Sequence, residues 1–214
     1  MISVVGTEVG LGLRAEYLSS EDLKLAASLL YQSYQDDPVF IDIFNGDKPD
    51  YEQRLRALIR EELSMFWQAK QPLVGLYLGE TLVGAACLNS PEEGFSSNRF
   101  WHWRLKMMIS AGYFSTKQMI EKEKIIAEAV PLKSYHMLSL IAIHPLHQHH
   151  GFGHYLMTAI NNMLDEHPTS EGVVVYATTN KYLNFFQDVG YDVIKEVKVG
   201  NVAGSLMVYK RKTS

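Results

Sequence analysis

Apolar residues recur along the chain with two different periods, and the change of period separates helices from strands. Apolar positions three and four residues apart predict a helix that follows Ser19 and Ser20 and ends near Gln35, and a second helix over residues 50–69. The sequence Asp36-Asp37-Pro38 predicts the end of the first helix, because the residue before a proline avoids helical angles.

Strands are predicted where apolar residues alternate with polar ones or run together. In chain order the predicted strands cover residues 11–17, 72–78, 81–88, 135–143, 172–178, 191–199 and 202–210. Gly79 and Glu80 predict a tight hairpin turn between the second and third of these strands. The continuous apolar run over 135–143 predicts a strand that is buried on both faces.

Three further helices are predicted, over residues 95–130, 148–167 and 180–189. The first is interrupted near Gly112 and carries several aromatic residues, among them Trp101 and Trp103. Its aromatic side chains either line a ligand groove or simply bury surface. Because helices and strands mix without a linker or an internal repeat, the sequence predicts a single domain over residues 1–214, of the mixed α/β class.

Composition narrows the function classes. Lys and Arg total 20 against 24 Asp and Glu, so the net charge is −4, which argues against nucleic acid as a partner. The single cysteine, Cys87, allows no disulfide within the chain and favours a reducing compartment. Residues 1–10 lack the basic start of a signal peptide, and no apolar stretch is long enough to span a bilayer. We therefore expect a cytoplasmic protein without a membrane partner.

The segment that carries chemistry begins with the apolar strand at residues 135–143. A short loop follows, then Gly151 and Gly153, then an apolar helix. Glycines allow the backbone to approach a bound group closely, and the first amides of a helix attract an anion. This order of elements predicts a binding site for a phosphate group, and a diphosphate would suit it.

Two other phosphate-binding motifs do not fit the spacing. A P-loop requires Lys and then Ser or Thr after its last glycine, whereas His154 and Tyr155 follow Gly153. The dinucleotide fingerprint places three glycines directly after its strand, and only two glycines are present here.

The segment resembles the motif of the GCN5-related N-acetyltransferase (GNAT) family. Gln148, Gly151 and Gly153 match its pattern of Gln or Arg, two residues, Gly, one residue, then Gly or Ala. The run Ile141-Ala142-Ile143-His144-Pro145 looks like the family's cofactor strand and its exit. Asn180, Phe185, Phe186, Gly190 and Tyr191 are similar to the Asn, Phe-Tyr and Gly-Phe positions of a later helix, and residues 34–40 resemble a puromycin-acetyltransferase-like branch.

The resemblance implies a central mixed, mostly antiparallel sheet of about seven strands flanked by helices, and acetyl-CoA as cofactor. The backbone of the strand would pair with the pantetheine arm. The amides of residues 149–154, here called the glycine turn, would hold the diphosphate. The cofactor-binding residues that it implies are Ile141, Ala142, Ile143, Gln148, His149, His150, Gly151, Phe152, Gly153, His154, Asn180 and Phe186.

The catalytic residues of the family are only partly matched. A main-chain amide near Ala142 or Ile143 would stabilise the oxyanion by this analogy. The tyrosine that usually protonates the leaving thiolate is replaced by Phe186, and the position of a strand carboxylate falls on Met137. Either positioning alone carries the reaction, or Tyr182, one helical turn before Phe186, supplies the phenol.

Other candidate residues are less specific. The resemblance places the acceptor groove near Tyr34, Asp36, Asp37 and the aromatic residues around Trp101, and acidic side chains there would attract a cationic amine. Asp36 and Asp37 have an equal claim as a simple helix stop. Five histidines lie between residues 144 and 154, but the glycines among them and the lack of acidic or Cys ligands argue against a metal site.

The sequence therefore predicts an acetyl-CoA-dependent N-acetyltransferase that acts on a small-molecule primary amine in a ternary complex. The resemblance also allows a homodimer. A catalytically silent module that binds acyl-CoA is the alternative, and a site for another phosphate-bearing ligand, such as ATP or NAD, is a third reading.

Overall fold

A single open sheet of eight strands organises the part of the chain that the structure describes. The computed structural model describes residues 3–4, 12–91, 108–109 and 112–211. The strands are β1 (Ser3–Val4), β2 (Leu13–Tyr17), β3 (Leu73–Leu78), β4 (Thr81–Asn89), β5 (His136–Ile143), β6 (Gly172–Ala177), β7 (Asp192–Val199) and β8 (Val202–Lys210). Their spatial order is β1-β2-β3-β4-β5-β6-β8-β7, and every adjacent pair is antiparallel except β5 and β6. The predicted mixed, mostly antiparallel sheet is confirmed.

Six longer helices cover the two faces of this sheet. They are α1 (Leu23–Tyr34), α2 (Pro38–Phe44), α3 (Tyr51–Gln68), α4 (Tyr113–Ala129), α5 (Phe152–Met163) and α6 (Asn180–Asp188). Buried residues of α1 to α4 form one apolar core with one face of the sheet, and those of α5 and α6 form a second core on the other face. Burial on both faces explains why the central strands are so apolar.

The end of the first helix was predicted correctly, but α2 directly after it was missed. Asp37 caps α2 by accepting a hydrogen bond of 3.0 Å from the Val39 amide, and Pro38 takes the first helical position. An acidic cap followed by proline begins a helix as well as it ends one, because proline has no amide to lose there.

Strand β5 differs from its prediction in burial. Its residues alternate between buried and half-buried, so the prediction of burial on both faces was wrong. The register with β4 shifts between Leu138 and Leu140, which leaves Ser139 as the extra residue of a β-bulge. The Ser139 hydroxyl accepts a hydrogen bond of 3.0 Å from the Asn89 amide group. Beyond this bulge, β5 parts from its neighbour β6.

The helix predicted over residues 148–167 is shorter in the structure. A 3₁₀ turn at Pro145–His147 follows β5, and the α-helix begins only after Gly151. A second 3₁₀ turn, Leu164–Glu166, ends it. The predicted helix over 95–130 is described only from Tyr113 onward, and Trp101 and Trp103 lie outside the described residues. In the described part, no helix is long and apolar enough to cross a membrane.

Candidate functional site

A gap opens in the sheet between β5 and β6. The two strands pair only over three residues, from His136 with Val173 to Leu138 with Val175. Strand β5 nevertheless continues to Ile143 and β6 to Ala177. The last five residues of β5 therefore present one edge to the gap rather than to a neighbouring strand.

Three hydrogen bonds show which main-chain groups of β5 face this gap. The Ile141 amide donates to the Tyr34 hydroxyl at 3.0 Å, and the Ile143 carbonyl accepts from the Gln148 side chain at 3.0 Å. The amide of His144, the residue directly after β5, donates instead to the carbonyl of Val83 in β4 at 2.8 Å. Since successive residues of a strand point to opposite edges, Ile141 and Ile143 face the gap and Ala142 faces β4.

This alternation corrects the assignment of the oxyanion donor to Ala142. Its amide lies on the edge that pairs with Ala85 of β4 and is directed away from the gap. The amides of Ile141 and Ile143 are the two that a ligand in the gap can reach. The apolar pattern predicted the strand itself. Which of its amides point to β4 and which to the gap depends on the bulge at Ser139, and the apolar pattern does not reveal a bulge.

The glycine turn lies at the end of the gap where β5 leaves the sheet. Gly151 is the N-cap of α5 with φ +79°, and His149 in the same turn has φ +64°. Both values fall in the left-handed region, which glycine adopts without strain. No side chain caps α5, so the amides of Phe152, Gly153 and His154 point out of the start of the helix. These amides suit an anion.

Gly153 is required for a different reason, which is close packing. A Cβ atom at this position would lie 3.0 Å from the Phe185 ring. That ring also contacts the His154 ring edge to face, with centroids 5.5 Å apart. A larger residue at 153 would push α5 away from α6. The open strand edge, the free helix amides and the two glycines together fit a ligand that has an extended amide arm and a diphosphate.

The other predicted cofactor residues divide into two groups. The side chains of Phe152 and Phe186 are buried in the core, so only the main chain of Phe152 can reach a ligand, and Phe186 packs on Tyr191 with ring centroids 5.5 Å apart. Gln148 fastens the turn to β5 through its bond to Ile143. The side chains of His149, His150, His154 and Asn180 are exposed at the turn and at the start of α6.

A buried carboxylate lies beside the gap where β6 ends, in the region that the family resemblance assigns to the acceptor and that we call the acceptor side. Asp37 is 5% exposed, caps α2, and accepts a hydrogen bond of 2.8 Å from the Thr178 hydroxyl just after β6. Burial raises the pKa of this carboxyl, and its hydrogen bonds with Thr178 and the α2 amides offset only part of that effect. Asp36, in contrast, is exposed. Of the two interpretations of these residues, a helix stop alone does not account for Asp37, which joins two distant elements.

Two phenols interact with this carboxylate. Tyr34, the last residue of α1, and Tyr182, in α6, are each half-buried. Burial, followed by the charge of Asp37, raises the pKa of both hydroxyl groups above the usual value. Both groups are therefore protonated over the whole physiological range. The prediction that Tyr182 shares a helix face with Phe186 is confirmed, since both pack against the core on the α5–α6 side.

Ionised side chains from two more helices extend the acceptor side. The Lys122 ammonium lies 2.9 Å from the Glu123 carboxylate and 6.0 Å from the centre of the Phe40 ring. Burial raises the pKa of Glu62 to about 7, and the charge of Glu123 adds to the effect. Burial alone would lower the Lys122 pKa, but Glu123, Glu62 and Asp37 together raise it. The carboxyls of Glu123, Glu62 and Asp37 thus all act electrostatically on this one ammonium, and Glu123 is in contact with it, which gives this side an acidic balance.

Sequence reasoning missed the roles of Phe185, Glu62 and Lys122. Glu62 and Lys122 are single charged residues on amphipathic helices, where most such residues are solvated, so no local signal marked them. Phe185 was noted only as a family position. In the described ranges, no group of three or more His, Cys, Asp or Glu side chains is arranged to hold a metal ion.

Comparison with known proteins agrees with this geometry. The model of a family described as an acetyltransferase (GNAT) domain matches residues 93–211, which is more than half of the chain. No curated protein sequence matches the chain.

Three solved structures share the fold at low sequence identity. Histone acetyltransferase HPA2 and related acetyltransferase from Corynebacterium glutamicum superposes with a TM-score of 0.68 at 14% identity, covering 95% of this chain and 98% of that one. For arylalkylamine N-acetyltransferase 7 from Aedes aegypti the TM-score is 0.64, with 10% identity and coverage of 92% and 87%. For AAC(6′)-Ib, solved with ribostamycin and coenzyme A, the TM-score is 0.59, with 13% identity and coverage of 94% and 94%.

The matched segment contains β5, the glycine turn and both helices that border it. The puromycin-acetyltransferase-like branch stays a prediction, since these similarities do not single it out. The chain is an N-acetyltransferase that uses acetyl-CoA, and it belongs to the GNAT family.

Proposed function

We propose that the chain transfers the acetyl group of acetyl-CoA directly to the primary amine of a small cationic molecule, within a ternary complex. One observation carries this proposal: β5 and β6 are parallel, and at the open mouth of the gap between them the glycine turn follows β5 while the Asp37 carboxylate is bonded to Thr178, which follows β6. We call the glycine turn the donor end of the site and the surroundings of Asp37 the acceptor end. The two ends have opposite electrostatic character, as a phosphate-bearing donor and an ammonium acceptor require.

On the donor side, main-chain groups do the binding. When bound, acetyl-CoA supplies the acetyl group as a thioester with a good leaving group. The amides at the start of α5 hold the diphosphate, and the Ile141 carbonyl and Ile143 amide are directed at the pantetheine arm. The Ile141 amide then faces the carbonyl oxygen and stabilises the negative charge that develops there.

On the acceptor side, charged side chains attract and orient the amine. Asp37 accepts a hydrogen bond from the ammonium, and Glu62 and Glu123 make the approach acidic. The Aedes aegypti neighbour is named for arylalkylamines, and AAC(6′)-Ib was solved with ribostamycin, an aminoglycoside, so amines of quite different size suit this fold.

The test is an amine panel. Release of free thiol from acetyl-CoA is measured with tyramine, agmatine, spermidine, ribostamycin and a lysine-containing peptide. We expect at least one of the small amines to accelerate thiol release with saturation, and the acetylated amine to appear by mass spectrometry. Turnover of the peptide alone would contradict the small-molecule assignment, and no turnover by any amine would contradict the proposed activity.

A catalytically silent CoA-binding module is the second candidate, because phenylalanine occupies both positions 185 and 186 where the family has a Phe-Tyr pair. Such a module would be stabilised thermally by CoA and would release no thiol with any amine. Stabilisation by ATP or NAD in place of CoA would instead indicate another phosphate-bearing ligand.

The expectations of a cytoplasmic location, of no nucleic-acid partner and of a homodimer stay predictions. Light scattering of the purified chain measures the oligomeric state directly, and a monomeric mass would contradict the dimer.

A further inference from the structure

We propose that Tyr34 is the proton donor to the leaving sulfur, in place of the phenol that the family resemblance puts at Phe186. This inference rests on the proposed acetyl transfer. It starts from one contact: the Tyr34 hydroxyl lies 3.0 Å from the Ile141 amide nitrogen, on the edge of β5 that faces the gap.

The contact fixes where the hydroxyl lies relative to the reacting atoms. The Ile141 amide is the donor that a thioester carbonyl in the gap would use, so an oxygen 3.0 Å from it marks the place of that carbonyl oxygen. The thioester sulfur is bonded to the same carbon. The proposal requires the phenol, once the incoming carbonyl oxygen has displaced it from the amide, to settle within hydrogen-bond distance of that sulfur.

The direction of this hydrogen bond leaves the phenolic proton free to be donated. In the contact with Ile141 the Tyr34 oxygen is the acceptor, so its own O–H is not consumed. The ring is held by an edge-to-face contact with Phe40, with centroids 5.6 Å apart. Asp37, Tyr182 and Cys87 are the titratable groups that act on it, and burial together with these neighbours keeps the phenol protonated.

The step balances without an added reactant. The bound ammonium first loses one proton to solvent. The lone pair of the resulting neutral amine forms the N–C bond, the C–S bond breaks, and its electron pair goes to sulfur, which takes the Tyr34 proton. The nitrogen, positively charged after attack, releases one proton, and this proton restores the Tyr34 hydroxyl. The products are the amide and the free thiol, with no net change in the enzyme.

Tyr182 is the alternative donor, and the structure separates the two phenols. Tyr34 packs against the core on the α1–α4 face of the sheet, whereas Tyr182 packs against the core on the α5–α6 face. Of the two hydroxyl groups, it is that of Tyr34 that accepts a hydrogen bond from the open edge of β5. Tyr51 provides a matched control: the charge of Asp37 acts on its hydroxyl too, but this hydroxyl donates its proton to the Gln35 carbonyl at 2.7 Å and so has none free for the sulfur.

The experiment compares Tyr34→Phe, Tyr182→Phe and Tyr51→Phe, using whichever amine of the panel gives the fastest thiol release. We expect Tyr34→Phe to lower kcat by about 100-fold or more, as for loss of a general acid, with the Kd for CoA from calorimetry within about threefold of wild type. Tyr182→Phe should lose less than about tenfold, and Tyr51→Phe should keep the wild-type kcat. A kcat for Tyr34→Phe within about threefold of wild type, or a larger loss for Tyr182→Phe, overturns the proposal.

A readout other than turnover tests the geometry itself. In amide NMR spectra, the Ile141 signal should shift on Tyr34→Phe and on addition of acetyl-CoA. Addition of CoA, which lacks the thioester carbonyl of acetyl-CoA, should shift the Ile141 signal much less. An Ile141 signal that is unchanged in Tyr34→Phe places the phenol elsewhere and contradicts the proposal.

If Tyr34→Phe fails to fold, 3-fluorotyrosine at position 34 keeps the shape of the side chain and lowers the pKa of the phenol. Because a stronger acid protonates the leaving sulfur more readily, kcat at neutral pH should then change while the Kd for CoA does not, an effect that a packing role for Tyr34 would not produce; an unchanged kcat contradicts the proposal. A wild-type chain that binds CoA but acetylates no amine overturns the proposed function as well. Normal turnover with an unaffected Tyr34→Phe variant overturns the role of Tyr34 alone.

Discussion

The donor end and the acceptor end of the site differ in the kind of group that faces the ligand. At the glycine turn the ligand-facing groups are main-chain amides and carbonyls, supplied by the contiguous segment 141–154. At the acceptor end they are side chains from α1, α3, α4, α6 and the α1–α2 loop. A main-chain site tolerates many side chains but needs glycine at fixed points, whereas a side-chain site depends on the identity and burial of each residue.

The electrostatics of the two ends also differ. The start of α5 contributes the positive end of a helix dipole and no buried charge. The acceptor end holds carboxyls whose pKa values are raised by burial, at Asp37 and at Glu62. The acceptor end should therefore be sensitive to pH near neutrality.

The largest effect is expected from a charge placed in the glycine turn. Gly151→Glu puts a carboxylate and a strained left-handed residue where the diphosphate binds. We expect the affinity for CoA to fall by about 100-fold or more, since charge-assisted hydrogen bonds contribute about 1.5–3 kcal/mol each. Isothermal calorimetry with CoA measures the loss.

The matched control is Gly79→Glu in the β3–β4 hairpin. Gly79 also has a left-handed φ, of +60°, with nothing near its missing Cβ. Both variants should lose roughly 1–2 kcal/mol of stability from backbone strain, but only Gly151→Glu should lose CoA affinity. Full CoA affinity in Gly151→Glu would mean that the turn does not hold the diphosphate.

An intermediate effect is expected at the acceptor end from Asp37→Asn. Asparagine can still cap α2 through its side-chain oxygen, and its NH2 group can donate to the Thr178 hydroxyl, which then acts as the acceptor, so the fold is kept while the charge is lost. We expect the KM for a cationic amine to rise by about tenfold, with the KM for acetyl-CoA unchanged. The exposed neighbour in Asp36→Asn serves as control and should change KM less than about twofold. Equal effects of the two variants would contradict a specific role for the buried carboxylate.

The smallest effect is the pH dependence set by Glu62. Its raised pKa of about 7 means that the carboxyl gains its charge as pH rises through neutrality. The affinity of the acceptor end for an ammonium should therefore increase by about threefold between roughly pH 6 and 8, within the range of a partly screened ion pair. Calorimetric titration of the CoA complex with an amine that stays protonated measures this slope. Glu62→Gln should abolish it, and a slope that persists in the variant assigns the titration to another group.

The same division between main chain and side chain explains how much the sequence predicted. Strong apolar periodicity located nearly every long element that the structure describes, and the spacing of Gly151 and Gly153 located the turn at the start of α5, because those signals are local. The helix α2 was missed because Asp37-Pro38 was taken only as a stop signal, although the pair also begins helices.

The acceptor end could not be assembled from the sequence. Asp37 meets Thr178 across 141 positions of the chain, and Tyr34 meets Ile141 across 107, so only the fold brings them together. The error at Ala142 has a related cause. A single extra residue, Ser139, sets which amides of β5 face the gap, and hydrophobic patterning does not report a bulge.

The short pairing between β5 and β6 has a consequence for the behaviour of the whole chain. Only three residue pairs join an antiparallel block of five strands to one of three strands across the sheet. A pantetheine arm lying along β5 would take the place of a strand in the gap and would add contacts between the two blocks for as long as it is bound. Binding of acetyl-CoA would then stabilise the sheet against separation of the two blocks, so the chain would resist unfolding most strongly while the acetyl donor is bound.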